Sequence, residues 1–265
     1  MKTFGCIGCG NMGSAILRGL AAKEGLAFTG FDRNENALAA LRDDINFQPL
    51  ASEKDVAEKA DYILLAVKPD MVEAVLGKIA PALTKDKVVI SIAAGVSQAA
   101  LKEYSKKACP VVRCMPNTPA MVGEGIFALC FEDADLSDEH RTAIQEIFGT
   151  IGQALVLEEK KFNAFTAVAG CGPAYVFHFM EAVVEAAVTV GFTRKDATDM
   201  VIKLFKGSVK LADESDQHLS VLREMVCSPA GVTIAAVNHL DRTAVRGNII
   251  DAVLEARQRG LEMSK

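Results

Sequence analysis

Thr3-Phe4-Gly5-Cys6-Ile7, running into Gly8-Cys9-Gly10-Asn11-Met12-Gly13, decides the fold. The apolar run reads as a strand, and the glycine turn opens a stretch with apolar residues at helical spacing, Ala15, Ile16, Leu17 and Leu20. The glycines allow a tight turn and let backbone N–H groups and the helix N-terminus approach a pyrophosphate. A lone G-x-G-x-x-G is a weak signal. Between strand and helix it reads as a Rossmann-type dinucleotide grip, with contacts expected at Ile7, Gly8, Gly10, Asn11, Met12 and Gly13.

The second apolar run ends at Phe31-Asp32-Arg33-Asn34, about 20 residues beyond the glycines, where the adenosine ribose of a dinucleotide is read. The neighbours point in opposite directions. Asp32 suits the free 2′-hydroxyl of NAD, whereas Arg33 suits the 2′-phosphate of NADP, and Asn34 stands beside both. Ala66-Val67-Lys68-Pro69 ends a later strand, and strand C-termini line the ligand crevice of a parallel sheet. Ala93-Ala94-Gly95 closes the next strand with small residues that permit close approach to ribose or nicotinamide. Asn117 and Thr118 follow the strand at 109–114 and are assigned to the nicotinamide side of the same crevice.

Apolar runs at 3–8, 27–31, 61–67, 87–93, 109–114 and 125–131 alternate with amphipathic stretches at 12–24, 34–43, 70–80 and 97–106. Such alternation builds an α/β, doubly wound parallel sheet. Runs near 125–131 and 153–157 flank a helix at 138–149 and are expected as an antiparallel edge. After Glu158-Glu159-Lys160-Lys161 the pattern becomes all-helical, giving a Rossmann domain over 1–159 and a helical domain over 160–265. Gly172-Pro173 starts a long helix and Gly191 stops it. Thr193 caps the next helix, to about 212, and others follow at 217–226, 231–239 and 242–259, the last capped by Asp241. Ala182, Val183, Val184, Ala186, Ala187 and Val188 leave the long helix apolar nearly all round, and such a helix must be buried. In a domain this small a second subunit is the expected cover.

Composition narrows the function. A net charge of −5 without a Lys/Arg-rich run argues against nucleic acid as a partner. No apolar run approaches the roughly 20 residues that span a bilayer, so no membrane contact is expected. The first residues run straight into a strand, so no secretory leader is expected either. Seven scattered cysteines fit a reduced, cytoplasmic setting. Cys6 and Cys9 spell C-x-x-C, but no second pair completes a metal shell, and they read as small apolar filler.

Late in the chain, Ser228-Pro229-Ala230-Gly231-Val232-Thr233 opens another helix. Free N–H groups and the helix dipole there suit a small carboxylate, with Ser228, Ala230, Gly231 and Thr233 around it. Two blander readings stand beside this one: Ser228 as a plain N-cap and Thr233 back-bonded within its own helix.

Six segments in order resemble the pyrroline-5-carboxylate reductases: Gly8–Gly13, Ala66–Pro69, Ser91–Gly95, Met115–Pro119, Gly170–Tyr175 and Val226–Thr233. They extend over nearly the whole chain. The resemblance implies an NAD(P)H-binding Rossmann domain and a helical domain that builds an intertwined homodimer, often a larger ring. It also implies that the helical domain of one subunit completes its partner's active site. NADPH is the usual cofactor, with NADH tolerated, and no metal is involved. The substrate would be a cyclic imine bearing a carboxylate. A protonated iminium accepts hydride readily, so the enzyme mainly positions its reactants. Thr233 would hold its hydroxyl near the ring nitrogen, and Ser228 would hydrogen-bond the carboxylate.

The chain departs from the family pattern at Cys171 and Cys227, at Ala230 and Val232, and at Asn163. A positive φ at Ala230 would be strained by its Cβ. A 3-hydroxyacid dehydrogenase shares the layout but carries a Lys and an Asn on the long helix, where this chain has Val176 and Met180. A reductase of another cyclic imino acid and a dinucleotide-sensing protein on the same scaffold also fit the layout.

Overall fold

The computed structural model describes residues 1–263. Its first compact unit holds Met1–Cys171 together with the chain from Arg257 on, and its second is Gly172–Ala256.

In the first unit, β1 (Lys2–Ile7), α1 (Asn11–Leu20), β2 (Leu26–Phe31), α2 (Glu35–Asp44), β3 (Phe47–Pro49), α3 (Glu53–Lys59) and β4 (Tyr62–Leu65) follow in strict alternation. After them come α4 (Val72–Ile79), β5 (Val88–Ser91), α5 (Gln98–Tyr104), β6 (Val111–Met115), β7 (Gly125–Cys130), α6 (Asp138–Gly149), β8 (Gly152–Val156) and α7 (Phe162–Phe165). The strands form one sheet in the order β3-β2-β1-β4-β5-β6-β7-β8. β1 pairs in parallel with β2 on one side and β4 on the other, so the strand order reverses beside β1. Ligands of open α/β sheets bind at such a reversal.

Side chains alternate across the sheet with period two. On β4, Tyr62 and Leu64 join the core containing Phe4, Leu17, Phe127 and Phe148, while Ile63 and Leu65 join the opposite core with Val56, Leu76 and Leu101. Both faces are thus covered, which is why these strands read as unbroken apolar runs.

Several details differ from the sequence reading. β3 and α3 have three and seven residues, too short to show a period. The expected antiparallel edge is only half present. β7 runs antiparallel to β6, but β8 runs parallel to β7, because the α6 crossover joins them as a β-α-β unit. Residues 160–171 pack with the first unit. Phe162 is fully buried beside Ala128 and Cys130, and the Arg113 guanidinium lies 4.7 Å from its ring centroid while pairing with Glu159 at 3.0 Å.

The second unit is helical: α8 (Gly172–Thr189), α9 (Arg194–Asp213), α10 (Leu219–Met225), α11 (Val232–Arg242) and the larger part of α12 (Val245–Met263). Gly191, at φ +106°, ends the α8 segment, and the Thr193 hydroxyl caps α9 by accepting from the Asp196 N–H. Asp241 is not the cap of α12. Helix α11 runs on to Arg242 and takes Asp241 into its last turn, and Ala244 at φ +55° makes the bend that follows.

The helical run Glu159–Thr189, a π-helical turn at Thr166–Gly170 included, is by length and composition long and apolar enough to cross a membrane, contrary to the reading of individual apolar runs. Within α8 only Ala187 is buried, and α11 and α12 bury no residue. Phe177 on α8, Leu240 on α11 and Leu254 on α12 stand exposed.

Replacing Phe162 by Ala is expected to destabilise the first unit by about 3–5 kcal/mol, the range for an emptied aromatic site. Chemical denaturation at fixed protein concentration, followed by far-UV circular dichroism, checks this, and an unchanged midpoint contradicts it.

Candidate active site

A cleft of about 470 Å³ opens in the first unit where the strand order reverses. Ile7, Gly8 and Gly10 line it from the turn after β1, and Phe31, Asp32 and Arg33 from the end of β2. Ala66, Val67, Lys68, Asp70, Met71 and Val75 close it after β4, and Glu53 closes it from the start of α3.

The glycines have separate reasons to be glycine. Gly8 holds φ +95°, and a Cβ on it would lie 2.7 Å from the Ala66 carbonyl oxygen. A Cβ on Gly13 would lie 2.2 Å from the Gly8 carbonyl oxygen, so α1 can pack this closely on its own turn only without a side chain. A Cβ on Gly10 would meet nothing within 4 Å, because the space it faces belongs to the cleft. Gly10 caps α1 with no side-chain bond, leaving the N–H groups of Asn11, Met12 and Gly13 at an open helix N-terminus. This cradle fits a pyrophosphate.

Asp32 and Arg33 turn to different tasks. Asp32 Oδ2 accepts from the Cys9 N–H at 2.6 Å and Oδ1 from the Asn34 N–H at 2.8 Å, so its carboxylate braces the glycine turn. The Arg33 guanidinium is exposed and meets Met71 Sδ at 3.9 Å, with no carboxylate within salt-bridge distance among the described residues. Asn34 spends its side chain capping α2, on the Asn36 N–H. Both thiols of the C-x-x-C are buried. The Cys9 thiol beside it, together with burial, holds the Cys6 thiol well above its ordinary pKa.

Other residues expected at the cofactor lie off this cleft's lining. Met12 packs against the first core. Asn11, Gly13 and Pro69 flank the cleft in sequence without lining it. In the loop after β5, Ala93 donates its N–H to Ser91 Oγ at 3.3 Å, Ala94 is exposed, and Gly95 adopts φ +80°. The Asn117 side chain is taken up by the framework, its Nδ2 donating to the Ala169 carbonyl at 3.2 Å and its Oδ1 accepting from the Ile126 N–H at 2.9 Å. Thr118 next to it is exposed.

In the second unit, Ser228–Thr233 makes a tight entry into α11. The Gly231 N–H donates to the Ser228 carbonyl at 3.0 Å, and Ala230 adopts φ +55°, the strained conformation its Cβ disfavours. Gly231 is the N-cap, without a side-chain bond, so Ser228 is not. A Cβ on Gly231 would lie 2.3 Å from Ser228 Oγ, which brings that hydroxyl against the open helix N-terminus. Thr189, Thr198 and Thr243 back-bond to the carbonyl four residues earlier; among the described residues Thr233 does not.

Sequence comparison bears on both halves. Residues 159–263 match the family described as pyrroline-5-carboxylate reductase dimerisation, and residues 3–95 match one described as NADP oxidoreductase coenzyme F420-dependent. Pyrroline-5-carboxylate reductase of Escherichia coli is 37% identical over 268 residues, covering 100% of this chain and 99% of its relative. The chain belongs to the pyrroline-5-carboxylate reductase family. It is thus an oxidoreductase of the kind that reduces 1-pyrroline-5-carboxylate to proline with NAD(P)H.

Solved structures agree. The Coxiella burnetii reductase superposes with a TM-score of 0.91 at 30% identity, covering 100% of this chain and 99% of that one. The Plasmodium falciparum reductase, solved with NADP bound, gives 0.90 at 30% identity, covering 100% and 98%.

Against the family pattern, Ala230 is the departure with a visible structural cost. Cys171 donates its N–H to the Thr166 carbonyl at 2.8 Å and closes the π-helical turn, a task of the backbone that any residue but proline can perform. Glu53, Asp70, Met71 and Val75 line the cleft but escape a motif reading. The Ser52-Glu53-Lys54-Asp55 helix start was the one signal that could have placed Glu53.

Gly13→Ala is expected to weaken binding of reduced dinucleotide roughly tenfold, the effect of forcing a methyl group into close-packed backbone. Titration of nicotinamide fluorescence checks this, with circular dichroism reporting retained secondary structure, and wild-type affinity contradicts it.

Proposed function

We propose that the first-unit cleft holds NADPH and that the Ser228–Thr233 segment holds the carboxylate of 1-pyrroline-5-carboxylate. The observation that carries this reading is the uncapped start of α11, with the Ser228 hydroxyl set against it. Three free N–H groups and the dipole of an 11-residue helix suit a small anion. Gly231 and the left-handed turn at Ala230 keep that approach clear of side chains.

Bound NADPH supplies the hydride. In a protonated iminium the C=N carbon would gain that hydride and the ring nitrogen would keep its proton. The protein's own part is placement. Ser228, Ala230 and Gly231 fix the carboxylate, and Thr233, its hydroxyl uncommitted, orients the nitrogen. At the other end, the unpaired Arg33 favours the 2′-phosphate, while Asp32 is occupied with the turn, so NADPH is preferred and NADH tolerated. Lys68 on the cleft wall adds positive charge towards the phosphates.

The exposed apolar faces of α8, α11 and α12 are covered by a second copy, in a homodimer or a larger ring, in keeping with the matched dimerisation family. On this reading the helical half of one copy completes its partner's site. The seven cysteines, all free, support a reducing, cytoplasmic setting.

Oxidation of NADPH and NADH on addition of 1-pyrroline-5-carboxylate tests the assignment. Turnover with both and a higher kcat/KM for NADPH is expected; tight NADPH binding without turnover overturns it. Thr233→Ala is expected to lower kcat roughly tenfold to a hundredfold, and an unchanged rate removes Thr233 from the mechanism. Arg33→Ala is expected to lower kcat/KM for NADPH roughly tenfold or more, with a much smaller change for NADH. Equal losses with both cofactors remove Arg33 as the phosphate reader.

A further inference from the structure

Glu53 lies outside every motif, yet it lines the dinucleotide cleft. The Ser52 hydroxyl caps α3 by accepting from the Asp55 N–H at 3.2 Å, which fixes Glu53 as the first residue of the helix. The preceding connection is tied to β2, the Leu50 N–H donating to the Gly30 carbonyl at 2.9 Å. Glu53 is thereby held beside the end of β2, where an adenosine ribose is read.

Its carboxylate is also restrained. Lys78 on α4 donates to Glu53 Oε2 at 2.6 Å, and the Glu53 side chain is only 15% exposed, against 58% for Lys78. Burial would raise its pKa, but the hydrogen bond from Lys78, a bond from the backbone N–H of Glu53 itself and, last, the charges of Lys78 and Arg33 outweigh it and hold Glu53 below the usual carboxylate range. It is an anion at neutral pH. Asp32, at the position that conventionally reads the ribose, has both oxygens engaged by backbone N–H groups, and Asp70 lies exposed.

We infer that Glu53 sets cofactor discrimination: its fixed carboxylate opposes the 2′-phosphate of NADPH and accepts a hydrogen bond from the ribose hydroxyls of NADH. This rests on the assignment of the cleft to the dinucleotide. A 2′-phosphate near Arg33 adds about two negative charges to a wall that already carries Asp32, Glu53 and Asp70. Glu53 therefore offsets part of Arg33's preference, and Lys78 in turn moderates Glu53. The two residues of this ion pair act on specificity with opposite sign.

The test compares, in the full-length protein and in Glu53→Gln, Lys78→Met and Arg33→Ala, the ratio of binding affinity for NADPH to that for NADH, read by nicotinamide fluorescence titration, and beside it the same ratio in kcat/KM. Glu53→Gln is expected to raise the ratio roughly three- to tenfold, the scale of one partly screened charge. Lys78→Met, which leaves the Glu53 charge uncompensated, is expected to lower it. A purely structural ion pair would lose activity with both cofactors alike in both variants. If Glu53→Gln leaves the ratio unchanged or lowers it while Arg33→Ala lowers it, the cleft assignment stands and this inference falls. If no variant moves the ratio, both fall.

Discussion

The approach of Gly13 to the carbonyl of Gly8 is the contact on which the first unit depends. With no side chain between them, α1 begins directly against the end of β1, and Gly8 in turn lies against the Ala66 carbonyl at the end of β4. These two approaches bring together the mouth of the strand-order reversal. The Asp32 carboxylate adds a polar brace, bonding the Cys9 and Asn34 N–H groups and so joining the ends of β1 and β2. Cleft width, free helix N-terminus and wall all follow from backbone contacts that tolerate almost no added volume.

The second unit solves a different problem. The segment that leads into α11 uses few side-chain bonds; its order comes from a turn closed by the Gly231 N–H and from Ala230 held in a left-handed conformation. An alanine there costs about 1–2 kcal/mol in backbone strain. It also restricts the unfolded chain more than glycine would. The segment is thus less stable locally yet has fewer shapes to choose from, a form of preorganisation.

Legibility in the sequence followed the length and the kind of the signal. The glycine turn, the long helices and the change from α/β to all-helical were readable because each extends over many residues or requires a residue type that nothing else can replace. β3 and α3 were not, since ten residues in two elements show neither period nor composition. Asp32 and Arg33 could be located but not told apart, because their roles depend on which way each side chain turns. Asn117 illustrates the same limit: its place just after β6 was readable, but its two side-chain bonds to distant backbone were not. Ser228 sits three residues before the true N-cap, an offset set by the turn's backbone angles.

The bareness of α8, α11 and α12 has a consequence in mass action. A helix layer that buries almost nothing within its own chain draws its stabilisation from association, so the folded population rises with the chain's own concentration. Dilution then acts on this half of the molecule as a denaturant would, while the sheet, with a core on each face, is buffered against it. Synthesis rate and thermal endurance become linked quantities for such a chain, and an unpaired newcomer is the form most exposed to proteolysis and aggregation.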